Sequence, residues 1–343
     1  MRRKTAITLG LALLFLSAVT GAFFWFNRPK PILTVLTWSG EYGRAQASAL
    51  FQPYGDETNT DVHIVQYDGD LKDLGRADVV DFEEPTAIAA CSQGLLQDIK
   101  PENEKDFVSG ATGKCWIGSV IYSRIIAHSP NINPKKIEDF FDLKSFPGLR
   151  GVRKSSAKYN LELALLADGV APGDVYSVLD SDFSRALKKY QTIKQSIVWW
   201  TSSSQPLEML REGRVTMTTM PNDQLFDAAQ RKQAVGAIWD HELYEVEAFG
   251  IPKTTQKPDM AKDFVTFATR PEGMAGVAAW VAYGPARRSA WPLVGPNPDL
   301  KMDMSPYSPT AGDHFATAFK VDDAWWAAHG AEAEARWQAF VNQ

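Results

Sequence analysis

Histidine and cysteine are scarce in this chain of 343 residues, which holds five of the first and two of the second. His63, His128, His241, His314 and His329 are scattered without ligand-like spacing, so the sequence predicts no metal centre. His241-Glu242-Leu243-Tyr244-Glu245 starts like a zinc-protease helix, yet Glu245 stands where the second histidine ligand is required. A Gly-x-Ser-x-Gly elbow is missing, which removes the commonest serine-hydrolase signal. Gly110-Ala111-Thr112-Gly113-Lys114-Cys115 lacks the glycine spacing of a phosphate loop, and Cys115 replaces its Mg-binding hydroxyl. Asp68-Gly69-Asp70 followed by Asp73 is too short for a calcium loop and reads as a turn. An excess of base is lacking too: the net charge of -5 argues against a nucleic-acid binder, which concentrates Lys and Arg on phosphates. Neither tandem repeats nor low-complexity tracts occur, and no cofactor is expected.

What the chain does have starts with Met1-Arg2-Arg3-Lys4 and an uncharged, largely apolar run from Ala6 to Phe26. That is the pattern of a Sec-type export leader over residues 1–30, with small residues for cleavage after Ala22. The run is also long enough to span a bilayer as an uncleaved anchor, so both outcomes stay open. Either way the working compartment is the periplasm, and an oxidising compartment favours joining Cys91 to Cys115. Closing that loop of about 25 residues removes unfolded-chain entropy worth roughly 3–4 kcal/mol. The remaining length suits two domains, and 45% hydrophobic with 22% charged residues is a globular composition.

Short strand patterns alternate with helical ones nearly throughout, the signature of an α/β protein with mostly parallel sheets. Strands are predicted at 32–36, 62–65, 77–80, 151–153, 197–200 and 215–220, and helices at 45–51, 160–167, 184–193, 204–212, 223–231, 258–269 and 273–282. Pro85 opens a further helix, and Gly94 closes it because glycine enters the left-handed region without a Cβ penalty. Runs ending at His128 and starting near Tyr244 read as two crossings between lobes. Asn297 to Pro309 reads as a surface loop. A last helix, 324–340, has Trp325, Trp326 and Trp337 as packing anchors.

The most informative stretch is Ile32 to Gly55, where a strand runs through Trp38-Ser39-Gly40-Glu41-Tyr42-Gly43 into a helix. Aromatics around a carboxylate at the C-terminal end of a strand occupy the place where open α/β sheets collect ligands. With the leader and the crossings, this cradle resembles the extracellular solute-binding proteins of ABC importers, specifically the spermidine/putrescine-binding group. The likeness runs along the mature chain through Leu36-Thr37-Trp38-Ser39-Gly40-Glu41-Tyr42, Gly94-Leu95-Leu96-Gln97-Asp98-Ile99, Glu212-Gly213-Arg214-Val215, Ala248-Phe249-Gly250-Ile251-Pro252-Lys253 and Phe264-Val265-Thr266-Phe267-Ala268-Thr269-Arg270-Pro271-Glu272.

The resemblance implies a two-lobed, type II-like periplasmic-binding-protein fold whose hinge strands let it close over a solute. The lobes are expected at 31–124 with 249–297, and at 125–248 with 298–343. A monomer handing its solute to an inner-membrane ABC permease is implied, with binding rather than catalysis as the function. Residue by residue, Trp38 and Tyr42 match the family's aromatic wall with Glu41 beside them, Tyr283 an aromatic at the cleft mouth, and Glu247 the carboxylate that grips an ammonium. Glu245 projects to the same face because strand side chains repeat with period two. Glu245 replaces an aromatic of the family pattern, and Pro221 replaces a tryptophan. Together with Glu83 and Asp223 these acids predict a small cationic, polyamine-like solute, since rings and carboxylates both hold ammonium groups. Trp199-Trp200 followed by Thr201-Ser202-Ser203-Ser204-Gln205 reads either as a core strand end or as an aromatic and hydroxyl rim at a helix N-terminus, and the second reading suits an anionic group and keeps a zwitterionic amino-acid or opine-like solute open. A metal complex is the other alternative in the binding class; a secreted hydrolase using Glu245 and Glu247, or a membrane-anchored sensor, lies outside it.

Overall fold

The computed structural model describes residues 29–343, so the predicted leader lies almost wholly outside the described residues. One sheet runs through the molecule. Its ten strands are β1 (Ile32–Thr37), β2 (Asp61–Gln66), β3 (Val79–Glu83), β4 (Trp116–His128), β5 (Arg150–Arg153), β6 (Ile197–Trp200), β7 (Met217–Pro221), β8 (Gly236–Gly250), β9 (Gly284–Pro285) and β10 (Phe319–Lys320). The order is β2-β1-β3-β8-β4-β7-β5-β6, with β10 on β8 and β9 on β4. β1 lies parallel to β2 and β3, and β5 lies parallel to β6 and β7. Between these two parallel groups run the long antiparallel pair β4 and β8, in register from Trp116↔Gly250 to His128↔Gly236 with two irregularities.

Each group has its own core. Leu33, Val35, Phe51, Phe249, Phe264 and Val277 fill one beside β1, and Ile126, Phe140, Leu165, Tyr190, Trp337 and Phe340 fill the other beside β5. The last helix, Asp323–Val341, belongs to the second core, where Trp337 is fully buried and its indole N–H donates to the Lys154 carbonyl at 2.9 Å. The anchoring role predicted for the tryptophans of this helix matches that contact.

Local sequence explains most element ends. The helix Glu84–Ser92 starts with Pro85 at a position where its missing N–H costs nothing, and Gly94 follows it at φ 69°. The first helix is longer than its predicted core: Gly40–Gln46 continues through a π-helical turn, Ala47–Phe51, into Gln52–Thr58. Gly43 is required there, because a Cβ would lie 2.1 Å from the Trp38 carbonyl oxygen. The return crossing also starts earlier than predicted, at Gly236 rather than Tyr244. The helix Val175–Ser181 escaped the sequence reading, being short and bounded by polar turns. Cys91 and Cys115 are bonded, with Cα atoms 5.8 Å apart, tying that proline-started helix to the beginning of β4. Among the described residues no helix is long and apolar enough to cross a membrane.

Candidate ligand site

The long strands β4 and β8 carry the floor of a cavity of about 440 Å³ between the two strand groups. Glu247 sits on β8 opposite Glu83 of β3, so the ladder itself brings two carboxylates side by side. Tyr122 and Arg124, two residues apart on β4, reach the same cavity. The opposite wall comes from Ser203, Ser204 and Leu207 at one helix start, and from Pro221, Asp223, Gln224, Asp227 and Arg231 around another. Tyr283 closes the side, its ring 5.5 Å from Tyr42 and 6.0 Å from Tyr122.

Behind this lining lies a polar second layer. The Trp38 indole N–H donates to Glu247 Oε2 at 3.1 Å, and Ser119 donates to the Glu247 carbonyl at 3.0 Å. Tyr42 is buried and donates to Asp81 at 3.3 Å, a carboxylate that also accepts from Thr37 at 3.1 Å and Gln46 at 3.0 Å. Burial pushes Asp81 up to about 7 despite those donors. Burial, with Asp81 and Glu83 nearby, holds Glu247 well above the usual carboxylate range. Glu83 is raised by burial and by Glu245, and Asp223 by burial against the pull of Arg124. Clustered carboxylates with raised pKa values gain from any positive charge placed among them.

Two of the acids singled out from sequence have other employment. Glu41 lies outside the cavity: it is the exposed first-turn acid of its helix and pairs with Arg44, while Tyr42, about a third of a turn further round, faces inward. Glu245 shares the face of Glu247 as its spacing requires, but Lys158 and Tyr159 both donate to it, and Lys158 also reaches Asp323 at 2.7 Å. Burial would raise the Glu245 pKa, and the Lys158 charge outweighs it, leaving this carboxylate below its ordinary value. A free Glu245–Glu247 pair for hydrolysis is therefore not what the strand presents. Trp38, Tyr42, Glu83, Asp223, Glu247 and Tyr283 do come together, the first two as support and the rest as lining.

Arg124 was not found from sequence. Its guanidinium lies 4.9 Å from the Tyr159 ring centre and 6.0 Å from that of Tyr122, and among the described residues it has no ion-pair partner. Burial works against its charge, but Tyr159, Glu245, Tyr122 and Asp223 together keep it above the ordinary arginine value. Tyr159 is held at φ 71°, ψ −35°, a conformation costly for a residue with a side chain. A single arginine inside an apolar-looking crossing strand was the available signal. The cavity thus holds the carboxylates of Glu83, Glu247, Asp223 and Asp227 together with the guanidinium groups of Arg124 and Arg231. Among the described residues no cluster of metal-ligating side chains occurs.

Comparison with known proteins adds the family. A family model described as bacterial extracellular solute-binding protein matches residues 50–304. The γ-aminobutyric acid-binding protein of Pseudomonas aeruginosa is 31% identical over 325 residues, 90% of each chain. A solved structure of a GABA receptor shares 27% identity and a TM-score of 0.72, covering 91% of this chain and 98% of its own. An ABC transporter substrate-binding protein from Bradyrhizobium japonicum shares 26% identity and a TM-score of 0.74 over 91% and 99% of the two chains. The two-lobed periplasmic-binding-protein architecture is common to these structures, and the chain belongs to the bacterial extracellular solute-binding protein family of ABC importers.

Proposed function

We propose that this protein captures a short zwitterionic solute, an ω-amino acid of the γ-aminobutyrate type, and hands it to an inner-membrane permease from the periplasm. The observation that carries this reading is Arg124, a half-buried cation with aromatic neighbours and, among the described residues, no ion-pair partner, in the same cavity as Glu83, Glu247 and Asp223. A diamine has no use for an arginine at its site: the like charge repels one of its ends. An amino acid uses both signs of charge, its ammonium among the carboxylates and its carboxylate on the guanidinium, through charge-assisted hydrogen bonds. Strand geometry sets the span. Glu247 pairs with Val120, four residues from Arg124, so the two Cα atoms are separated by about 13 Å along the ladder. The two side chains take up part of that distance and leave room for a chain of a few carbons. The 31% identical Pseudomonas relative, named for γ-aminobutyric acid, points the same way.

Residues 31–124 with 249–297 would form one closing lobe and 125–248 with 298–343 the other, the solute stabilising closure by its differential affinity for the closed state. The polyamine reading rests on the carboxylates alone and serves as the contrast in the test. Calorimetric titration of the purified exported protein with γ-aminobutyrate, putrescine, spermidine and an opine decides between them. Binding of γ-aminobutyrate with weak or absent diamine binding is the expected result; tight putrescine binding with no response to any amino acid would overturn the proposal.

A further inference from the structure

Behind Arg124, away from the solute cavity, lies a second recess with room for one water-sized occupant, about 20 Å³. Strands β5, β6 and β7 and the helix that begins at Asn160 supply most of it, and β4 and β8 complete it with Arg124, Ile125 and Leu243. Arg124, Arg153, Trp200 and Thr219 line it with Lys158, against apolar walls that include Leu163 and Leu243. Three polar atoms of these residues are buried and lack any hydrogen-bond partner among the described residues: Arg153 Nε, Trp200 Nε1 and Thr219 Oγ1. Trp200 is 5% exposed and Thr219 8%, so bulk water does not serve them. Leaving one such group unsatisfied costs about 1–3 kcal/mol, and three around one recess is an arrangement that calls for a shared partner.

The chemistry of the three narrows what that partner is. Arg153 Nε and Trp200 Nε1 are donors only, and Thr219 can donate. A water has two protons of its own to place, and besides the threonine oxygen the lining side chains offer only the Asn160 Oδ1, which already accepts from Tyr190, and the Tyr159 hydroxyl, which already donates to Glu245. An acceptor-only ion takes all three bonds and places none. Charge agrees with this count. Lys158 already faces Glu245 and Asp323, whereas Arg124 and Arg153 have no ion-pair partner among the described residues. Two guanidinium groups and an indole N–H around a site of one-atom size fit a monatomic anion, while a solute carboxylate with its two oxygens exceeds the space.

The structure assigns this recess to a small halide ion, chloride in the cell, held by Arg153, Trp200 and Thr219 behind the arginine that faces the solute. It is independent of which solute the main cavity takes. The ion would stabilise the half of the molecule around β5 and fix the setting of Arg124.

Crystals of the exported protein grown with sodium bromide test the assignment through bromine anomalous scattering. An anomalous peak in the recess is expected, and it should persist when γ-aminobutyrate is added; no peak there, or a peak displaced by the solute, overturns a resident free ion. In solution, replacing gluconate by chloride at constant ionic strength should raise the melting temperature by about 2–5 °C. Thr219→Val, which preserves shape and removes one donor, should abolish that difference while still giving a cooperative transition. Trp200→Phe is the second variant, to be used if the threonine replacement prevents folding. Equal melting in both salts for the unaltered protein would also sink the assignment.

Discussion

Glu247 and Arg124 answer to pH and substitution in opposite ways. A raised Glu247 pKa means the free protein holds that carboxylate protonated further up the pH scale than usual. An ammonium binds its ionised form, so solute binding releases protons, and affinity falls as pH drops, by up to about tenfold per unit. Titrations in buffers of different ionisation enthalpy should register that release, and Glu247→Gln should remove it together with much of the affinity. Arg124→Gln removes a charge-assisted contact worth roughly 1.5–3 kcal/mol, so γ-aminobutyrate should weaken about ten- to hundredfold in calorimetry while putrescine does not weaken. Asp81 offers a stability counterpart. Its native pKa of about 7 lies above the unfolded value, so the native state binds the extra proton, and stability is lost as pH rises from about 4 toward 7. The slope approaches about 1.4 kcal/mol per pH unit at most, and Asp81→Asn should flatten it in denaturant titrations across that range. Glu41 and Glu245 teach why residue roles were only partly legible. The partners that claim Glu245, Lys158 and Tyr159, lie 87 and 86 residues away, where no local spacing announces them.

At the level of elements, punctuation residues made the sequence readable. Pro85 and Gly94 bound one helix and Pro258 opens another, and both helices stand within two residues of their predicted places. Asn160–Ala167 and Ile197–Trp200 match their predicted bounds, because a mostly apolar run between polar turns leaves few alternatives. The start of β8 was less legible: Gly236–His241 mixes apolar and polar residues, and its extension depends on pairing with the end of β4. Arg124 was hidden for the related reason that pairing, not pattern, aims a strand residue into a cavity. The bond between Cys91 and Cys115 belongs to this scale too, since it closes a loop of 24 residues between a helix and β4. Replacing both cysteines by serine should cost about 3–4 kcal/mol of folding free energy, seen as a lower denaturant midpoint with a steeper slope, because the uncrosslinked denatured chain exposes more surface.

For the molecule as a whole, the two-lobed fold and the binding-protein class were legible, while the choice between a cationic and a zwitterionic solute stayed open. Acidic residues are conspicuous in the crossings and cradle, and they outweighed one arginine that only the assembled sheet brings to the cavity. Solute at one hundred times its dissociation constant should stabilise the protein by about 2.7 kcal/mol, giving a melting shift of a few degrees. Small-angle scattering should report a smaller radius of gyration on saturation if the lobes close.

β4 and β8 are hydrogen-bonded to each other along almost their full length. A paired ribbon resists stretching and shear far more than torsion, so the halves should turn about a common axle and hardly slide. Glu247 and Arg124 sit on that axle. On the proposed reading the solute would be gripped where rotation moves atoms least, and the surfaces farthest from the ribbon would travel most and offer an importer the largest visible difference between loaded and unloaded forms.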